Sequence, residues 1–175
     1  MNLLEKIFVL LVTVTAMFIY PIVTLSDQSD EITRTTVYNA TSEFVEQVRE
    51  QGKLTQDMYL NFISELDNTG YLYDIEFKHG HDTVVPVYET ALDDVNTQVA
   101  GTDIVTYITY TDDILNTLYA TNGIYTFDKG DTFSVSVKSR DETLSQKTHR
   151  LIFNVVGEAG CISVKYGGTI RDENY

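Results

Sequence analysis

Polarity changes along this chain in three steps, and each step predicts a different kind of element. From Ile7 to Leu25 the sequence reads IFVLLVTVTAMFIYPIVTL, nineteen residues without a charge. A helix rises about 1.5 Å per residue, so the run covers roughly 28 Å, close to the hydrocarbon thickness of a bilayer. It predicts a membrane helix within residues 1–25 that is retained as an anchor. Pro21 falls late in the run, where its missing N–H and its ring predict a kink near the outer leaflet. A cleaved secretory signal is the competing reading, with Val14-Thr15-Ala16 as the cleavage site. The apolar run continues nine residues past Ala16, which a signal peptide does not need.

Over residues 26–52 the apolar positions thin out to a helical period. Ile32, Val37, Ala40, Phe44 and Val48 recur at that spacing, with Val45 beside them, and Glu43, Glu46, Arg49 and Glu50 fill the other faces. The membrane helix is therefore expected to continue as an amphipathic rod ending near Gly52. Its stripe must bury itself against a domain or against copies of itself.

Residues 53–175 are patterned as a small head. Thr55 is a good N-cap for a helix bearing Met58, Tyr59, Phe62, Ile63 and Leu66, and Asn68-Thr69-Gly70 ends it. The period then shifts to two. Tyr71, Tyr73, Ile75 and Phe77 alternate with polar residues as a half-buried strand. His79-Gly80-His81-Asp82 is expected to be a hairpin turn, with Val84 to Tyr88 returning as a strand whose Pro86 argues for an edge. Residues 89–103 read as an irregular acidic connection, and Val105 to Tyr110 as a short β-type run. Thr111 is expected to cap a helix running to Ala120. Ile124 to Phe127 and Phe133 to Lys138 are expected to pair as a hairpin around Asp128-Lys129-Gly130. A second amphipathic helix is predicted over 143–156 and a last strand over 162–170, with Cys161 a buried thiol beside it. The sum is an α+β chain with a long N-terminal helix, short helices and a mostly antiparallel sheet.

Charge narrows the partners. There are 26 acidic and 12 basic residues, giving a formal net charge of −14. So acidic a chain excludes non-specific nucleic-acid binding, which needs Lys and Arg against phosphate. The single cysteine, Cys161, excludes an intramolecular disulfide framework. This suits a bacterial surface protein whose core suffices without cross-links. Lys6 precedes the apolar run, while Asp27, Asp30 and Glu31 follow it. The positive-inside bias therefore places the N-terminus in the cytoplasm and the head outside the plasma membrane.

Catalytic chemistry finds little support. The chain has no Gly-x-Ser-x-Gly elbow, no His-Glu-x-x-His and no phosphate-cradling loop. His79-Gly80-His81-Asp82 carries metal-ligand residue types but reads as a solvated turn. Asp128-Lys129-Gly130-Asp131 lacks the spacing of a calcium loop. Gly167-Gly168 reads as a strand bulge. No cofactor, metal or enzymatic activity is expected. Glu5 stands out, because a carboxylate at the edge of an apolar span is costly unless it reaches the interface or pairs.

Glu5, Pro21 about sixteen residues later, the amphipathic extension and the α+β head together resemble type IV pilins and pseudopilins. Three further segments resemble the pilin-like proteins of Gram-positive tight-adherence (Tad-like) loci: Thr41 to Arg49, Asn68 to Ile75, and Tyr166-Gly167-Gly168. The basic leader that pilins carry ahead of the apolar run does not precede Met1, so an upstream start or an unprocessed accessory subunit is expected. The resemblance implies assembly by a membrane ATPase and a platform protein. It also implies that Glu5 neutralises a neighbouring subunit's N-terminus during insertion into a filament. Glu5, Pro21, Val37, Phe44 and Val48 are the expected assembly residues, and other pilin-like subunits or secretion-system membrane proteins the expected partners. The alternative is a membrane-tethered extracellular domain that binds a ligand or partner protein without forming fibres.

Overall fold

The computed structural model describes residues 3–88, 99–120, 122–154 and 161–171. It is an α+β structure in which one helix, α1 (Leu3–Gln51), runs 49 residues without interruption. At about 1.5 Å per residue that is roughly 73 Å of rod. Its first part is bare: residues 3–18 are all exposed. Hydroxyls within the apolar run are satisfied by the helix itself, Thr13 donating to the Val9 carbonyl, Thr15 to Leu11 and Thr24 to Tyr20. That is how polar side chains are tolerated where no water is available. α1 continues through Pro21.

Gly52, at φ +62°, turns the chain out of α1. β1 (Lys53–Thr55) leads into α2 (Gln56–Asp67), where Thr55 is the N-cap and its hydroxyl accepts from the Met58 N–H as its sequence context predicts. Then come β2 (Tyr73–Tyr88), β3 (Val99–Tyr110), α3 (Thr111–Ala120), β4 (Ile124–Thr126), β5 (Thr132–Ser139), α4 (Leu144–Phe153) and β6 (Ser163–Thr169). Four strands form an antiparallel sheet in the order β3-β2-β5-β6.

The core lies between α1 and one face of this sheet. Val37, Phe44, Val45 and Val48 of α1 meet Phe77 of β2 and Phe133, Val135 and Val137 of β5, all buried. α2 adds Phe62 and Leu66, and α3 adds Ile114 and Leu118. Alternation along β5 puts odd positions inside and even positions toward solvent. The rod is also latched at its upper end. Glu46 accepts from Arg49, from the Tyr166 hydroxyl at 2.9 Å and from Arg171 at 2.9 Å. Arg49 Nε donates to the Thr169 carbonyl at 2.9 Å, and the Arg171 N–H donates to the Arg49 carbonyl at 3.0 Å.

Several expectations are corrected. His79 to Asp82 is no turn: β2 runs straight through it for 16 residues. It pairs with β5 on one side from Tyr73 to Gly80 and with β3 on the other from Lys78 to Tyr88. Pro86 therefore lies where β2 has one neighbour, the edge setting its missing N–H requires. Residues 99–103 belong to β3, and 89–98 lie outside the described residues. β4 pairs with β1 in a two-stranded sheet, and not with β5 as a hairpin. The reason is positional: the Phe127 N–H donates to the Gly52 carbonyl and the Gln56 N–H to Gly123, which draws β4 to the end of the rod. Thr111 does not act as an N-cap. Its hydroxyl oxygen accepts from the Phe77 N–H at 2.8 Å, covering a strand donor that β3 ends too early to reach. α4 has its N-cap at Thr143 in a capping box with Gln146 and ends at Phe153 with Asn154 as its C-cap, and Val155 to Gly157 lie outside the described residues. Ile32, placed in the buried stripe by period, is exposed. Cys161 is only half-buried.

Gly167 and Gly168 form no bulge either. β6 pairs with β5 in unbroken register, Gly167 opposite Ser134 and Gly168 opposite Phe133. They are glycines because neighbours press on them. A Cβ at Gly167 would stand 2.8 Å from the Phe133 carbonyl oxygen, and one at Gly168 would stand 2.6 Å from the Arg49 guanidinium carbon. Gly167→Ala must part β6 from a backbone atom of β5, which cannot move cheaply. A loss of about 1–3 kcal/mol is expected by analogy with overpacking. Denaturant titration checks this, and an unchanged midpoint would contradict it.

Candidate functional site

The expected assembly residues fall into two groups. Glu5 and Pro21 lie on the bare part of α1, with exposed apolar side chains on every side of it between Leu3 and Leu25. The described residues contain one helix long and apolar enough to cross a membrane, and it is this one. Val37, Phe44 and Val48 lie in the other group, 0%, 4% and 0% exposed inside the head's own core. They weld the head to the rod and offer no surface to a neighbour. The amphipathic stripe thus meets its own domain, the first of the two partners its pattern allows.

Sequence reading missed a second constellation. β2 delivers His79 and His81, and the turn before β5 delivers Asp128 and Asp131. Continuing the β2–β5 register one step past Gly80 and Thr132 sets His81 opposite Asp131, with His79 diagonal to it. The Asp131 carboxylate is buried and holds three donors. His79 Nε2 lies 2.8 Å from Oδ2, His81 Nδ1 lies 2.7 Å from Oδ1, and the Asp128 N–H donates to Oδ2 at 2.8 Å. His79 Nδ1 meets the Tyr125 hydroxyl at 2.8 Å, and its ring packs edge-on to Phe127. The cluster therefore pins the turn to β2 and closes the upper end of the core.

Burial by itself would raise the Asp131 carboxyl. Hydrogen bonds from His79, the Asp128 N–H and His81 outweigh it and hold the group below the usual carboxylate range. The His81 imidazole is pushed up, first by its hydrogen bond to Asp131 and then by the charges of Asp131, Asp128 and Asp82. The Asp131 contribution to stability is present above the ordinary carboxylate value of about 3.9 and is lost as pH falls through the lower folded value. The His81 contribution is complete below about 6.5 and is lost as pH rises through the raised folded value. His81→Asn keeps a donor near Nδ1 and removes the titration. Melting temperatures across the range from pH 5 to 9 should fall above neutrality in the native protein, and fall less in His81→Asn. Superimposable profiles would contradict the assignment.

Metal-ligand chemistry also converges here. Among the described residues, ligand atoms of His81, Asp128 and Asp131 lie within 4.8 Å of one another, a donor set a divalent cation could use. Both Asp131 oxygens already accept hydrogen bonds, so the arrangement is complete as a proton-sharing bracket. A nucleophile is not part of it: Cys161 stands elsewhere, its Sγ 3.6 Å from the Ser139 carbonyl.

The structure thus defines a class, a small antiparallel α+β head carried on a helix of membrane-spanning length. Comparison with known proteins adds no relative: no family model matches the chain, and neither a curated protein nor a solved structure matches it.

Proposed function

We propose that the protein is a membrane-anchored, pilin-like or pseudopilin-like subunit that acts by helix-mediated assembly at a bacterial cell surface. The observation that carries this reading is the division of α1. Its upper half is fastened into the head by core side chains and by the Glu46–Arg49 latch, while its lower part, residues 3–18, is exposed throughout and carries most of the apolar run. A rod so divided couples a membrane-embedded contact surface rigidly to an outer domain. In this reading the N-terminus is cytoplasmic and the head extracytoplasmic, following the charge bias across the span. Partners are further copies or secretion-system membrane proteins, and no catalytic step is involved.

Glu5 gives the reading its specific chemistry. A carboxylate at the edge of lipid gains from a cationic partner on a neighbouring rod, because the low dielectric strengthens the pair. Assembly of Glu5→Ala in native membranes tests it, with loss of fibres and intact insertion expected. The alternative, a tethered head that binds a partner without fibres, would draw on the β2–β3 ribbon, where Val84 and Ile104 face each other and are exposed. In that case Glu5→Ala leaves function unchanged.

A further inference from the structure

α4 joins the rod in an unusual way. The Ser145 N–H donates to Asp30 Oδ2 at 3.2 Å, and the Ser145 hydroxyl donates to Asp27. His149 Nε2 lies 3.3 Å from Asp27 Oδ1, and the Thr148 and Ser26 hydroxyls meet at 2.9 Å. Ser145, at the start of α4, reaches up to Asp30, while Thr148 and His149, a turn later, meet Ser26 and Asp27. α4 therefore runs against α1, back toward the apolar run that ends at Leu25. Thr148 stands level with Ser26. Phe153 is five residues further on, about 7 Å lower at 1.5 Å per residue, and so beside the last turn of the run. Half-burial of Val23 and Ile19, on the same α1 face as Ser26, continues this seam downward.

The upper part of the seam is polar, Ile152 is half-buried one turn further down, and the other apolar residues of α4 are exposed. Leu151 is 82% exposed and Phe153 52%. A helix of a soluble domain turns such residues toward its partner. Charge is reversed here as well. In a chain of net charge −14, the segment Leu144–Phe153 holds Lys147 and Arg150 and no acidic residue. The acidic groups of the rod at this level, Asp27 and Asp30, are turned to α4, accepting from Ser145 and facing His149.

We propose that the C-terminal end of α4 dips into the outer leaflet beside the anchor, with Leu151 and Phe153 among the upper acyl-chain carbons and Lys147 at anionic lipid phosphates, while Arg150 is paired with Glu142 at 2.7 Å. This rests on α1 spanning the bilayer, as proposed above. A helix end carried about 7 Å below the Thr148 level brings Phe153 to the upper part of the leaflet, and the long Lys147 side chain reaches back to the headgroups. The head is then held at two points, and its orientation to the membrane is set before any subunit is met.

The chain contains no tryptophan, so Phe153→Trp introduces a single indole at the site. The full-length variant is reconstituted into phosphatidylcholine–phosphatidylglycerol vesicles carrying lipids brominated either near the headgroup or near the chain end. The expected result is blue-shifted emission, quenched at least twofold by the shallow bromines, less by the deep ones, and protected from aqueous acrylamide. Emission typical of water, quenched by acrylamide and indifferent to bromine, overturns the proposal. Blue-shifted emission indifferent to both lipids also overturns it, and assigns the face to a second copy of the chain. Phe18→Trp, within the apolar run, separates the two levels. Quenching there without quenching at residue 153 refutes the α4 proposal alone, while no quenching at either position refutes the anchor and the α4 proposal with it.

Discussion

Phe44→Ala should lower the melting temperature of the full-length protein by about 10–15 °C, the largest effect expected of any single truncation in the core. Phe44 is where rod and head interlock. Its ring stacks on Phe62 at 4.4 Å between centroids and 10° between planes, and lies 5.9 Å from Phe77 and 6.3 Å from Phe133. Removing it deletes contacts to α2, β2 and β5 together and opens a cavity that three elements would have to collapse to fill. Such truncations cost about 3–5 kcal/mol. For a domain of this size each kcal/mol shifts the melting temperature by about 2–4 °C. Ile32→Ala, more than three helical turns below, should stay within about 0.5 kcal/mol of the native protein, because Ile32 is exposed. Calorimetry on the detergent-solubilised proteins compares the two. Equal, small shifts would mean that the head does not depend on the rod.

The contrast between Phe44 and Ile32 also shows what the residues disclose by themselves. The helical period placed Val37, Ala40, Phe44 and Val48 on one face, and that face is buried. Ile32 stands about 140° round the helix from Val37, and at its level Ser29, Asp30 and Thr33 take the covered side. The apolar run, the α2 cap at Thr55 and the alternation through Phe77 were legible because each is a local signal. β1 was not, since three residues carry no period. Its pairing with β4 depends on where Gly52 turns the chain.

The His–Asp cluster was closer to legible than its reading as a turn allowed. His79 and His81 share the odd parity of Tyr73, Ile75 and Phe77, and Asp131 shares that of Phe133 and Val135. Carrying the alternation through Gly80, and not stopping at it, puts all three side chains on the core face. Glycine broke the pattern on paper because it is a turn residue. In the sheet it is there for space: a Cβ on Gly80 would stand 2.5 Å from the Thr132 hydroxyl. Which strand then lies beside β2, and so which carboxylate meets the histidines, is set by long-range pairing that no local pattern encodes. The seating of Glu46 and Arg49 against β6 is of the same kind, since their spacing fits a solvated helix face equally well.

Glu5→Ala should reduce surface assembly at least tenfold while leaving membrane insertion untouched, and this is the second large effect. The substitution removes a charge and leaves Lys6 and the apolar run from Ile7 to Leu25 intact, so insertion should not suffer by it. It also touches nothing in the head, whose core begins at Val37. A loss of assembly would therefore be assigned to contact between rods and not to misfolding. Glu5→Gln, similar in shape but uncharged, separates charge from size and should fail as Glu5→Ala does. The measurement is the fibre fraction sheared from the surface of cells expressing each form, set against the amount of protein in their membranes. Assembly by helix contact predicts native membrane levels with the sheared fraction lost in both variants. Native amounts of sheared fibre from both would contradict it.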